Sequence, residues 1–402
     1  MGNLKKFVPQ SNGAFKINKT LLVLCIAFGL SSSFSSIAVF DMLNKAIIGL
    51  MCLVILAYFW NKKQPRYVYL VLAIAGLLHA LCFLHPLSSR EGIATYFTFA
   101  FWVLFWLYLA NNMQSFLSAV YAERLLLKKT LILWTAVTAV SFAFPFCYKV
   151  SWGGESYFVS FTLSSFEIAP IAVFMLAIDI LLYRFDGNKV RALLLSVVPL
   201  ACVFATGTRT YLVVIVVEFL ILLRLMMGNK ASFVVVSAIV ISVVILIASV
   251  TSIGQKFESA MLDTRDTAVF LEVFTNGRSE FWEIDMRAFL SSDFFELMFG
   301  HGFSYVYDLN EMTIGNRLYA HNDFINILLN FGWVGMLVYF AAFGPISILI
   351  KKRLGVGACL LFLFMWFFNA FFNMIYVYVV AVIGMGLLAA ALVYEDGSFV
   401  DL

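Results

Sequence analysis

Apolar residues fall along this chain in twelve long runs separated by polar connections. The runs lie at roughly 21–40, 43–60, 68–85, 93–112, 131–148, 166–184, 191–206, 208–227, 232–252, 323–350, 356–372 and 374–394. Stretches of about 18 or more apolar residues can carry an α-helix across about 30 Å of hydrocarbon. The runs lack the every-second-residue alternation of a spanning β-strand, so helices are the spanning form. The pattern predicts an all-α, polytopic integral membrane protein with about twelve transmembrane helices. The first run resembles a signal peptide, but it is too long and no small-residue cleavage site follows it. The run 323–350 exceeds one crossing, so it is expected to tilt or to turn at Gly332 to Gly335.

One long polar interval interrupts this pattern, Ser252 to Gly335. It divides the chain into spans one to nine (1–252), a loop (253–320) and spans ten to twelve (321–402). Within the loop, Phe281, Trp282, Met286 and Phe289 recur at three- to four-residue spacing against Glu280, Glu283 and Arg287. That spacing predicts an amphipathic helix over 280–290, lying on the membrane surface or capping a site.

Charge orients the spans. With the N-terminus inside, every second loop is basic, and the inner loops hold 18 of the 27 Lys and Arg residues. This is the positive-inside bias, with both termini cytoplasmic. The loop 253–320 then faces outward and carries five basic and eleven acidic residues. Topology does not explain its arginines; salt bridges within the loop account for Arg265, Arg287 and Arg317.

Composition removes several function classes. Hydrophobic residues make up 63% of the chain and charged residues 12%, half the usual charged share of a soluble domain. No soluble basic patch exists for nucleic acid. The six cysteines (25, 52, 82, 147, 202, 359) lie in or beside apolar runs and form no C-x-x-C pair, so they read as buried small hydrophobes. No phosphate loop for ATP and no acidic metal motif appears; Glu283 and Asp285 are two apart and do not face each other on a helix. No metal or cofactor is expected.

The chemistry-bearing residues gather at the outer face. Arg209 sits in the tight connection Thr206-Gly207-Thr208-Arg209-Thr210, where span eight enters from outside. A cation at a helix N-terminus opposes the helix dipole, and a bound phosphate would resolve the conflict. A snorkelling interfacial arginine is the plainer alternative. His321-Asn322-Asp323 opens span ten from the same side. Asn322 or Asp323 can cap that helix, which leaves His321 at the surface with a side chain suited to proton transfer. His301 lies between Gly300 and Gly302, a tight turn that favours a structural or substrate-contact role. Glu218 falls in mid-span eight and is expected to be buried and either paired or protonated.

In this order and on this topology, the motifs resemble the O-antigen ligase and Wzy polymerase superfamily. The resemblance rests on the Arg209 loop, Gly277-Arg278 before an aromatic helix, Gly300-His301-Gly302, Ala320-His321-Asn322-Asp323 and Phe331-Gly332-Trp333-Val334-Gly335. It covers about 200–340. It implies a metal-independent transferase that uses glycans on undecaprenyl pyrophosphate, with its site facing away from the cytoplasm at the inner membrane. Arg209 and Arg278 match the family's pyrophosphate-binding arginines, and His321 matches its active-site histidine. His301, Asn322, Asp323 and Glu280 are expected on the substrate side. The segment Asn276 to Trp282 looks more like the polymerases, whose donor and acceptor are both lipid-linked and which can work with a chain-length regulator. A ligase acting on lipid A–core is the alternative, and an exporter of lipid-linked sugars is a third reading.

Reporter fusions test the topology. Fusions at Asn61, Asn188 and Asn229 should report the cytoplasm, and a fusion at Thr275 the outside. An inside signal at Thr275 would turn the loop toward nucleotide sugars and remove the basis for a lipid-linked donor.

Overall fold

The computed structural model describes residues 12–82, 90–150, 156–249, 254, 275 and 277–394. Twelve apolar helices occupy the twelve predicted positions: α1 (Asn12–Ser32), α2 (Ala38–Asn61), α3 (Arg66–Cys82), α4 (Arg90–Ala122), α5 (Arg124–Ser141), α6 (Ser165–Asp186), α7 (Lys189–Thr206), α8 (Arg209–Met226), α9 (Lys230–Ser249), and then α13 (Asp323–Leu354), α14 (Val356–Phe372) and α15 (Val379–Val393). Between the last two groups stand three shorter helices, α10 (Arg278–Leu290), α11 (Phe294–Phe299) and α12 (Tyr305–Ile314). A two-stranded hairpin, β1 (Tyr148–Val150) and β2 (Ser156–Phe158), precedes α6. The protein is an all-α, multi-pass membrane protein. Among the described residues, seven helices are long and apolar enough to cross a bilayer on their own: α1, α2, α4, α6, α7, α9 and α13. Helices α3, α14 and α15 are apolar but shorter. Helices α5 and α8 each carry three charged residues.

Helix ends depart from the apolar runs where side chains compete with the backbone. The first run continues to Phe40, but α1 stops at Ser32. Serines crowd this stretch, and Ser36 donates to the Phe161 carbonyl from both its backbone nitrogen and its hydroxyl. The run 131–148 ends as a helix at Ser141, before Pro145, and passes into β1. Helix α4 runs past its apolar segment and bends at Asn112, whose amide bonds the Tyr108 carbonyl and accepts from the Tyr58 hydroxyl at 2.6 Å. The expected amphipathic helix is α10, with Trp282 and Phe289 buried and Glu280, Glu283 and Arg287 exposed.

Helices α6 and α15 form the centre of the bundle. Every residue of α15 is buried, and α6 is buried from Ile168 to Tyr183. Helix α9 is the opposite extreme. None of its side chains is buried, and its apolar surface is left to lipid.

Helix α13 breaks at Gly332, with φ +64° and ψ −166°, a conformation essentially confined to glycine. The break lies where the sequence predicts a turn. The Gly300–Gly302 turn closes it. The His301 N–H donates to the Leu329 carbonyl at 2.9 Å, and the Gly302 N–H to the Asn330 carbonyl at 3.1 Å. Contact is too close for side chains: a Cβ on Gly332 would run into the Met298 carbonyl, and one on Gly300 into the Asn330 backbone.

Gly332→Ala should therefore destabilise the protein by about 1–3 kcal/mol from the backbone conformation alone, with a further cost for the clash. Thermal unfolding in detergent measures it. A variant as stable as the parent would mean that the interlock is not under the constraint described.

Candidate functional site

The site is a half-open cleft at the N-terminal end of α8. Its wall is built from Gly207 to Tyr211, with Phe166, Thr275, Arg278, Phe372 and Asn373. The Thr206–Thr210 connection makes it possible. Gly207, in the left-handed region, ends α7 and lets α8 turn back at once. Thr208 occupies the N-cap of α8 but makes no capping hydrogen bond; its hydroxyl is spent on Thr206 Oγ1 at 2.7 Å. The first N–H groups of α8 thus lack the usual side-chain cap and leave a positive helix end beside Arg209.

Helix α10 brings in the second cation. Gly277 starts it in a left-handed conformation, and Arg278 is its first residue. Arg278 Nη1 donates to the Phe372 carbonyl at the end of α14, at 2.7 Å. Trp282, one turn on, packs edge-on against Phe371 at 5.3 Å between ring centres. These contacts seat α10 on α14 and set Arg278 in the same cleft as Arg209. Burial pulls the Arg278 pKa down from its usual value; nearby Tyr378 works the other way and the Arg209 charge adds to the lowering. Two guanidinium groups in one recess suit a polyanion.

His321 stands on the adjoining segment. Trp282 Nε1 donates to the Ala320 carbonyl at 2.6 Å, which ties α10 to the residue just before His321. His321 itself has φ +51°, an uncommon conformation for a side-chain-bearing residue. It faces Tyr319, edge-on, with 6.2 Å between ring centres. Its Nδ1 is buried without a hydrogen bond. Burial, and secondly the Arg278 charge, push its pKa down to about 3. At neutral pH the ring is uncharged and able to accept a proton.

The remaining predicted residues have other occupations. Asn322 is the N-cap of α13, its side chain accepting from Phe324 and Ile325. Asp323 is fully buried and accepts from the Tyr339 hydroxyl at 2.7 Å. His301 stacks on Tyr305 at 3.9 Å between ring centres and bonds Ser292 Oγ at 2.7 Å. Glu280 is exposed in the first turn of α10 and does not line the cleft. Glu218 is fully buried with no hydrogen bond to either oxygen, so it is not paired. Arg287 pairs with Glu283, and Arg317 with Asp308 and Glu311, as expected for loop salt bridges. Arg265 and Asn276 lie outside the described residues.

Residues 194–340 match the family model described as O-antigen ligase, Wzy_C. This segment is similar to the O-antigen ligase and Wzy polymerase superfamily. A comparison with curated proteins finds no match. The matched segment holds Arg209, Arg278, His301 and His321. The match supports a membrane enzyme of glycan processing.

Part of the candidate site, and one buried carboxylate outside the cleft, escape a reading of the sequence. Phe372, Asn373 and Tyr378 lie beyond the matched segment, in the connection from α14 to α15. That stretch reads as continuous with an apolar span, although Asn369, Asn373, Tyr376 and Tyr378 are an unusual polar cluster for one. Asp285 is the other omission. It is fully buried, neither oxygen is hydrogen-bonded, and burial raises its pKa to about 7. The signal was its helical register, three residues after Trp282 and four before Phe289.

Arg278→Ala should raise the His321 pKa, because it removes the second of the two causes. Burial remains, so the value should stay below the ordinary 6.5. A pH titration of ring-labelled histidine by NMR reads this directly. The native ring should stay neutral down to pH 5, and a His321 signal titrating near 6.5 would contradict the described environment. The sign for stability follows. A depressed histidine pKa leaves stability intact above about 6.5, and its contribution is lost as pH falls from there toward 3.

Proposed function

We propose that this protein polymerises lipid-linked glycan repeats at the outer face of the inner membrane, releasing a polyprenyl pyrophosphate. The single observation that carries the reading is the shared cleft of Arg209 and Arg278 beside the uncapped α8 terminus. The donor is a glycan on undecaprenyl pyrophosphate. The acceptor is a hydroxyl of a second lipid-linked repeat. The acceptor oxygen attacks the anomeric carbon of the donor. The bond from that carbon to the phosphate oxygen breaks, and its electron pair leaves with the pyrophosphate. Arg209 and Arg278 stabilise the departing charge, since guanidinium forks match phosphate oxygens. His321 takes the acceptor proton as a neutral base. Asn322 fixes the backbone beneath it, and Asp323 supports the same turn from within. His301, held by Ser292 and Tyr305, and Glu280, outside the cleft, take no part in this chemistry.

A ligase reading has one observation in its favour, the match of residues 194–340 to the O-antigen ligase family model. In that case the acceptor is lipid A–core and the cleft chemistry is unchanged. The glycan profile of a deletion strain separates the two. Core capped by single repeats means a polymerase is lost; uncapped core with accumulated lipid-linked polymer means a ligase is lost. An unaltered profile overturns both.

Within either reading, Arg209→Ala and Arg278→Ala should abolish transfer, and the lysine variants should be impaired, because an ammonium cannot present a bidentate fork. His321→Ala should still bind donor but lose transfer by about 10²–10⁴-fold. Normal long-chain glycan from His321→Ala would remove it as the base.

A further inference from the structure

The cleft has a wall that the arginines do not explain. Asn373 ends α14 and lines the cleft with Arg209 and Arg278. Only 2% of its surface is exposed, yet its Nδ2 makes no hydrogen bond within the protein. Its backbone is fixed, with its N–H on the Asn369 carbonyl at 2.9 Å. The next residue, Met374, turns the chain with φ +81°, which costs free energy in a residue with a side chain. The Asn369 and Asn373 amides face the buried Tyr211 hydroxyl within reach of it, but neither forms a well-aligned hydrogen bond there. A buried amide donor left unsatisfied is destabilising unless a ligand takes it up.

We propose that Asn373 is a substrate-binding residue whose Nδ2–H donates to an oxygen of the pyrophosphate group held by Arg209 and Arg278. This rests on the transferase reading above and deepens it. It assigns part of the site to the α14–α15 connection, outside the segment 194–340 that matches the family. The chemistry suits the position. Arg278 already spends Nη1 on the Phe372 carbonyl, so its fork alone does not satisfy a pyrophosphate. An amide beside it adds a neutral donor at no further cost in buried charge.

The test uses the full chain purified in detergent, with farnesyl pyrophosphate and inorganic pyrophosphate as probes. The parent protein should bind farnesyl pyrophosphate, and Arg209→Ala should lose it. Asn373→Ala removes no well-aligned internal hydrogen bond of the side chain, so it should fold normally and bind about tenfold or more weakly, the worth of one hydrogen bond to a charged group. Asn373→Asp keeps the shape and places a carboxylate beside the anion. It should bind more weakly than Asn373→Ala, with the deficit shrinking as pH falls and the carboxylate protonates. That pH dependence is one a merely structural role would not give. If Arg209→Ala loses the probe while both Asn373 variants bind like the parent, this inference fails and the arginine reading stands. If the parent itself binds neither probe, the transferase reading fails and takes the inference with it. Tighter binding of the farnesyl ester assigns the anion to a lipid; equal binding of inorganic pyrophosphate overturns the lipid assignment.

Discussion

The interlock between the Gly300–Gly302 turn and the break in α13 is the constraint on which the outer face depends. A helix broken within an apolar layer leaves carbonyls without partners, and hydrocarbon cannot supply any. Here the Leu329 and Asn330 carbonyls receive the His301 and Gly302 N–H groups instead. The loop is therefore part of the membrane bundle's own hydrogen bonding, not an appendage to it. That fixes the first turns of α13, from Asp323 to Asn330, independently of the rest of the helix. The cap at Asn322 and the position of His321 follow from where that short segment is held.

A second dependency runs through α10. Its Arg278 is bonded to the Phe372 carbonyl, and its Trp282 to the Ala320 carbonyl. One helix thus spans the end of α14 and the lead-in to α13. The cation that faces the cleft and the histidine beside it are positioned by the same rigid element. This explains why the Arg278 charge is felt at His321. In the proposed reaction that placement has a use, since the cation keeps the imidazole uncharged beside the site assigned to the anionic leaving group.

Hydrophobic periodicity made the bundle legible, because lipid imposes a long, regular apolar signal on each crossing. Arg209 and Arg278 were legible too, as cations in places where helix dipoles and topology give them no reason to be. The hairpin of β1 and β2 was not, since three-residue strands carry no pattern above background. The end of α1 at Ser32 was missed because hydropathy is blind to serines that bond the backbone. Asn373 was hidden for a related reason. A polar residue between two apolar runs is indistinguishable from an ordinary helix end until the fold shows what it faces.

The two glycine-flanked or capped histidines of the loop show why spacing alone could not rank them. His301 is held on every side, by Ser292, by Glu296 at 3.4 Å and by the Tyr305 ring. Its backbone carries the interlock, so its side chain stabilises the turn that α13 needs. His321 has the strained backbone, the unbonded Nδ1 and the cationic neighbour. Strain and an unsatisfied nitrogen are costs that packing does not require, because a glycine at 321 would relieve both. They are understandable if the ring is kept for a molecule that arrives. The same logic applies to Asn373 and Met374 across the cleft, where an unsatisfied amide sits beside a strained turn. Costs of this kind gathered near Arg278 fit the proposal of a site preorganised for a polyanion.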